Sequence, residues 1–194
     1  MLALALGLSG CAIGSSGEVS RGFLKPEIGA AYIPLHVPSI AFNEYGAGVV
    51  IAPGIAVTNA HNQNLVDANA VIAKDTDFDL LYFRTSKSLT LPVAAPVQGE
   101  QVIAYGEGTD GGLREAVGTV VLADAELHGF TFAAEAGPGF SGGPVVDAHT
   151  GALLGITFGY KDGEPGVSGR LMFAYDMNRV GIERAALKAH AAAQ

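Results

Sequence analysis

The chain has a single cysteine, Cys11, so no disulfide can form within it and its 194 residues rely on packing alone. Basic residues are scarce and never clustered: 11 Lys and Arg against 19 Asp and Glu give a net charge of −8 and a pI near 5.0. That balance excludes the positive footprint a phosphate backbone requires, so nucleic acid is not expected as a partner. Long apolar runs are missing too. The stretch from Leu2 to Leu8 has seven residues, whereas a membrane-crossing helix needs about 20. His128, His149 and His190 have no acidic or thiol partners at ligand spacing, so neither a metal nor another cofactor is expected.

What remains is apolar and rich in turns. Hydrophobic residues make up 49 % of the chain, enough for a sizeable core, and 27 glycines with few charges suit short strands joined by tight turns. Between residues 28 and 175 no apolar stripe of helical period is sustained, which disfavours alternating strands and helices. AGVVIAPGIAVTNAH, residues 47–61, reads as two strands joined at Pro53-Gly54. NAVIAKDTDFDLLYFR, residues 69–84, repeats the scheme with a polar turn from Lys74 to Asp77. The runs EQVIAYG, REAVGTVVLAD, FTFAAEA, GPVVD, ALLGITFGY and RLMFAYD follow at close intervals. An all-β chain is expected. Only NRVGIERAALKAHAAAQ, from Asn178, has helical character, with Val180, Ile182, Ala186 and Leu187 on one side.

One serine stands in the most constrained stretch of the chain. GPGFSGGPVVD, residues 137–147, surrounds Ser141 with four glycines and two prolines. Such a turn can converge backbone N–H groups, here those of Gly139 and Ser141, on a developing oxyanion, and it leaves room for a carbonyl to approach. A serine nucleophile also needs a base. His61 closes the first hairpin, and Asp79 follows the polar turn of the second, where a carboxylate can reach back to an imidazole; Asp75 and Asp77 are alternative acids. The order His61, Asp79, Ser141 is one of those in which hydrolase triads occur.

These segments together resemble the trypsin-like serine peptidases, and most nearly the bacterial HtrA-type protease domain. VTNAH, DTDFDLL, GEQVIAYG, and PGFSGGP followed by GALLGIT carry the resemblance over about residues 45–160. It implies two six-stranded antiparallel Greek-key barrels: residues 28–92 would supply His61 and Asp79, residues 93–176 would supply Ser141, and a helix would fill 177–194. It further implies cleavage of protein or peptide substrates, with Thr157, Phe158 and Gly159 on the strand that pairs with an extended peptide and Glu135 at the floor of the primary specificity pocket. Phe140 departs from the family, which has Asp or Asn before the serine. No PDZ-sized stretch follows the second barrel, so caging and peptide sensing are not expected.

The N-terminal MLALALGLSGC resembles a bacterial lipoprotein signal, with Leu8-Ser9-Gly10-Cys11 as its lipobox. That implies cleavage of residues 1–10, lipidation of the Cys11 thiol, a membrane partner through that anchor, and a place in the bacterial cell envelope, lipid-anchored or periplasmic or secreted. Residues 11–27, polar and glycine-rich, read as a tether. Two other readings of the serine turn stay open. GFSGG also fits the elbow of an α/β-hydrolase esterase, with Asp176 and His190 as nominal partners. A protease-like lipoprotein that binds proteins without cleaving them is the other.

Overall fold

The structure, a computed structural model, describes residues 17–37, 44–75, 77–109, 111–124 and 128–177. Cys11, the lipobox, His190 and the expected C-terminal helix beyond Met177 lie outside the described residues. No described helix is long and apolar enough to cross a membrane.

Strands dominate. They are β1 (Glu18–Val19), β2 (Tyr32–Val37), β3 (Glu44–Ala52), β4 (Ile55–Asn59), β5 (Val71–Asp75), β6 (Leu80–Arg84), β7 (Gln101–Glu107), β8 (Leu113–Asp124), β9 (Gly129–Ala134), β10 (Pro144–Asp147), β11 (Leu153–Lys161) and β12 (Arg170–Asp176). One short helix, α1 (Pro26–Ala31), and two single 3-10 turns, Ala60–Leu65 and Ala68–Ala70, complete the set. All three are too short to carry an apolar stripe, and so they left no periodic mark in the sequence.

The second half closes into a ring. The order β8-β7-β10-β11-β12-β9 returns through a β9 to β8 pairing, giving six antiparallel strands as expected. Phe130, Phe132, Phe140, Leu154 and Met172 fill its interior, and each such side chain contributes about 1.5–3 kcal/mol by leaving water. The first half departs from expectation. Among the described residues it is a five-stranded sheet, β2-β3-β4-β6-β5, with β2 and β5 unpaired to each other, rather than a closed six-stranded barrel.

A shared core joins the halves: Ile28, Val49, Ile51 and Leu80 from the first pack with Tyr105, Val146, Leu153 and Ile156 from the second. Residues 88–99, SLTLPVAAPVQG, lie in the strand-poor stretch between β6 and β7 and bridge to β11 at Val93 and Leu153.

The tether reading of 11–27 fails from Gly17 onward. Glu18 and Val19 pair with Glu115 and Arg114 of β8, and Phe23 packs on Tyr32 and Tyr105 with ring centroids 5.2 and 5.0 Å away. The reading weighed polarity and glycine content, but two strand residues and one partly buried aromatic suffice to dock this piece.

Candidate active site

The acid and the base are positioned by adjacent strands. Asn59, at the end of β4, pairs with Leu80, at the start of β6, so the residues flanking that pair, Ala60 and His61 on one side and Asp79 on the other, are held close. Asp79 takes a left-handed φ of 46°, uncommon for a side chain that is not glycine, and its carbonyl is fixed by Ala60 N–H at 2.8 Å and Asn59 Nδ2 at 3.3 Å. Its carboxylate then meets the histidine twice. Oδ1 accepts the His61 backbone N–H at 3.0 Å, and Oδ2 lies 2.6 Å from the His61 ring Nδ1. The chain from His61 to Asp79 is not a bare short loop; it runs through the rest of the first 3-10 turn, the second, and β5, which lies on the far side of β6.

Asp75 and Asp77 are not partners of the imidazole. Asp75 Oδ1 accepts the Asp77 and Phe78 amides at 3.1 and 3.3 Å, a local cap for the turn that delivers Asp79, and Asp77 is exposed.

The serine turn rests on backbone approaches that only glycine permits. Gly139 and Gly142 have φ of 89° and 79°. A Cβ on Gly139 would overlap the Glu107 carbonyl, one on Gly142 the Ala47 carbonyl and the Thr58 hydroxyl, and one on Gly143 the Tyr105 carbonyl. Gly142 N–H donates to Thr157 O at 2.8 Å, and Thr157 N–H to Gly143 O at 3.0 Å. Among the described residues the N–H groups of Gly139 and Ser141 donate to nothing, as an oxyanion site requires.

Phe140 is fully buried in the second ring's core, against Gly106 and Gly17; a Cβ on either would stand 2.6 Å from it. Shape holds the turn where the family resemblance expects a polar brace.

Two contacts bring the turn to the histidine. Ser141 O accepts Ala47 N–H at 2.9 Å and Asn62 Nδ2 at 2.9 Å, and Asn62 directly follows His61. Asn62 Nδ2 also reaches Thr58 Oγ1 at 2.9 Å, whose hydroxyl donates to Ala47 O at 2.6 Å. Sequence reasoning missed this buried Thr58–Asn62 pair; its only signal was three polar residues, Thr58, Asn59 and Asn62, around an apolar strand end. The His61 ring and the Ser141 hydroxyl are not themselves hydrogen-bonded to each other in this structure.

The expected peptide-binding strand is divided in its roles. Both backbone groups of Thr157 are engaged by the serine turn, so it braces that turn. Past Thr157 the β11 ladder slips at a bulge, and β10 has already ended opposite Ile156, leaving Phe158 to Lys161 without a strand on that side among the described residues. No atom lies within 4 Å of where a Gly159 Cβ would stand. The Phe158 ring stacks on Tyr175 at 4.2 Å and lines an apolar cavity of about 300 Å³ with Leu122, Phe130, Phe173 and Tyr175.

Glu135 is not gathered with these residues. It is exposed and lines a groove with Glu18, Glu115, Ala116 and Val117, none of them from the site. His128 meets Phe78 edge-on at 6.1 Å, and the backbone N–H of His149 donates to Asp147 Oδ1 at 3.0 Å. The esterase elbow is overturned: a strand, β10, follows Ser141 where that fold needs a helix, and Asp176 ends β12, paired with Gly155.

No family model and no curated protein matches the sequence. Solved structures do. The chain is similar to the serine endoprotease from Yersinia pestis, at 20% identity and a TM-score of 0.69 over 87% of this chain and 67% of that one. It is also similar to the HtrA-type protease AlgW with tripeptide, at 18% identity and a TM-score of 0.68 over 87% of this chain. The chain has the fold of HtrA-type serine proteases. It spans 65% of the length of AlgW, about two thirds of either relative.

Proposed function

We propose that this protein is a serine endopeptidase using Ser141, His61 and Asp79, with the amides of Gly139 and Ser141 as the oxyanion site. The observation that carries the reading is the double contact of Asp79 with His61 beside a serine turn whose two critical amides are free. Asp79 Oδ2 accepts a hydrogen bond from Nδ1–H, which keeps that proton on Nδ1 and leaves Nε2 as the basic nitrogen. Rotation of the Ser141 hydroxyl toward Nε2 forms the remaining hydrogen bond; such bonds are often long before substrate arrives. Oγ then attacks the scissile carbonyl as Nε2 accepts its proton, and the imidazolium returns that proton to the leaving amine. Water releases the acyl group by the same route. Each oxyanion donor lowers the barrier by about 3–4 kcal/mol. An extended peptide would lie along Phe158 and Gly159 by strand addition.

A fluorophosphonate probe tests this. Labelling of the purified protein, abolished by Ser141→Ala and by His61→Ala, is the expected result; a folded protein that takes up no label refutes the reading. The missing bond between His61 and Ser141 favours a second reading, a protease-like protein that binds peptides without cleaving them. Under it, peptides bind and remain intact.

We further propose that Cys11 carries a lipid that holds the protein to a bacterial envelope membrane. Incorporation of a labelled fatty acid in cells, lost in Cys11→Ala, is expected; equal incorporation in both forms refutes it.

A further inference from the structure

Glu107 carries a buried carboxylate that the chemistry above does not use. It is 7% exposed, and its Oε1 accepts the Tyr32 hydroxyl at 2.8 Å while Oε2 accepts the Gly112 amide at 3.0 Å. Among the described residues no Lys, Arg or His forms an ion pair with it. A buried acid held by two neutral donors is costly to keep.

The backbone of the same residue grips the serine turn. Glu107 N–H donates to Gly139 O at 3.0 Å, and Phe140 N–H donates to Gly137 O at 3.2 Å, so the peptide unit between Gly139 and Phe140 is fixed at both ends. The free amides of Gly139 and Ser141 flank that unit. They belong to the neighbouring peptide units, so loosening this one at the freely rotating Gly139 would let both tilt from their shared aim. Of these two bonds, the one from Glu107 comes from outside the turn.

Tyr32 belongs to the other half of the molecule. It is 4% exposed, its ring lies against Phe23, and its carbonyl accepts the Lys87 ammonium. Burial, reinforced by the Glu107 carboxylate, pushes the Tyr32 phenol far above its ordinary range, so it remains a donor throughout the working pH range. The hydroxyl therefore ties the start of β2 to the residue that grips Gly139.

We propose that Glu107, anchored by the Tyr32 hydroxyl, is a positioning residue that holds the Gly139 peptide in the orientation that aims the oxyanion amides. Its effect on rate rests on the endopeptidase reading; its effect on the turn does not.

Two conservative variants test it by two readouts. Tyr32→Phe keeps the ring and its packing and removes one hydroxyl; Glu107→Gln keeps the shape and turns one acceptor into a donor. In both, amide exchange in 137–143 should quicken by about tenfold while β11 is unchanged, as loss of one hydrogen bond to a charged group implies. Fluorophosphonate labelling of Ser141 should slow by about tenfold per folded molecule, with KM for a peptide substrate unmoved. Wild-type exchange in 137–143 in both variants would overturn the proposal, as would faster exchange with undiminished labelling. If the wild type takes up no label, the endopeptidase reading falls and exchange alone decides whether the clamp exists.

Discussion

Asp79 holds His61 at two points, receiving the backbone N–H on Oδ1 at 3.0 Å and facing the ring Nδ1 from Oδ2 at 2.6 Å. The first contact fixes where the residue sits, and the second fixes which ring nitrogen keeps its proton. A substitution can separate the two. In Asp79→Asn, an amide oxygen can still accept the backbone N–H while the amide nitrogen faces Nδ1 as a donor, forcing the proton onto Nε2. The base is then lost without loss of the fold. Labelling of Ser141 should fall by about 10⁴-fold, as in the equivalent exchange in other triads, with the unfolding midpoint nearly unchanged. A labelling rate within tenfold of wild type would remove Asp79 from the mechanism.

Gly142 is a glycine whose replacement should be poorly tolerated. Its φ of 79° is strained for any other residue, and a Cβ would overlap the Ala47 carbonyl and the Thr58 hydroxyl. Both belong to the network that joins Ser141 to Asn62. Gly142→Ala should therefore destabilise by more than about 1 kcal/mol in urea unfolding and also impair labelling in the fraction that stays folded. The same change at Gly163, which has positive φ but open space around it, should cost stability through strain alone and leave labelling intact.

Phe140 makes a sharper case because the resemblance puts a polar residue at its position. It is fully buried beneath the turn. Phe140→Ala should cost about 3–5 kcal/mol as a cavity opens. Phe140→Asp should cost at least as much, since a carboxylate there would be buried among apolar side chains. An Asp variant as stable as wild type would mean that the turn has a polar brace in reserve.

How much of this is legible along the chain follows from the range of each signal. The hairpin at Pro53-Gly54 was legible because a turn dipeptide and two flanking apolar runs are local, and β6 to β12 were marked by runs of their own. Strand β2 was hidden by Pro34, which sits in a strand at the sheet edge, where a missing N–H is tolerated. The first barrel was inferred from resemblance, and whether a sheet closes depends on pairings between its outermost strands that no local pattern carries. His61, Asp79 and Ser141 stood out as candidates because each lies just beyond or just before a strand, in a residue type suited to one role. Glu135 was placed by resemblance from its distance to Ser141, and a position along a chain does not say which face of a barrel a side chain takes. Tyr32, Asn62 and Glu107 were invisible for the opposite reason: each is an ordinary polar residue until its distant partner is known.

Tyr175 gives a prediction that depends on pH. Its ring is stacked on Phe158 and meets Phe78 edge-on at 6.0 Å, which places it between the segment carrying Asp79 and the open edge of β11. Burial, followed by the negative charges of Asp79 and Asp75, pushes its phenol up to about 12. An unfolded tyrosine ionises near 10. Between those values the folded protein holds a proton that the unfolded chain has released, so this contribution to stability is complete below pH 10 and is lost as pH rises through about 12. Urea unfolding from pH 9 to 12 should show stability falling, with a shallower fall in Tyr175→Phe, which has no proton to lose. Tyr32 and Tyr105 are also shifted upward, so the variant should flatten the curve without abolishing its slope. Parallel curves for the two proteins would place the Tyr175 hydroxyl in water, away from Asp79.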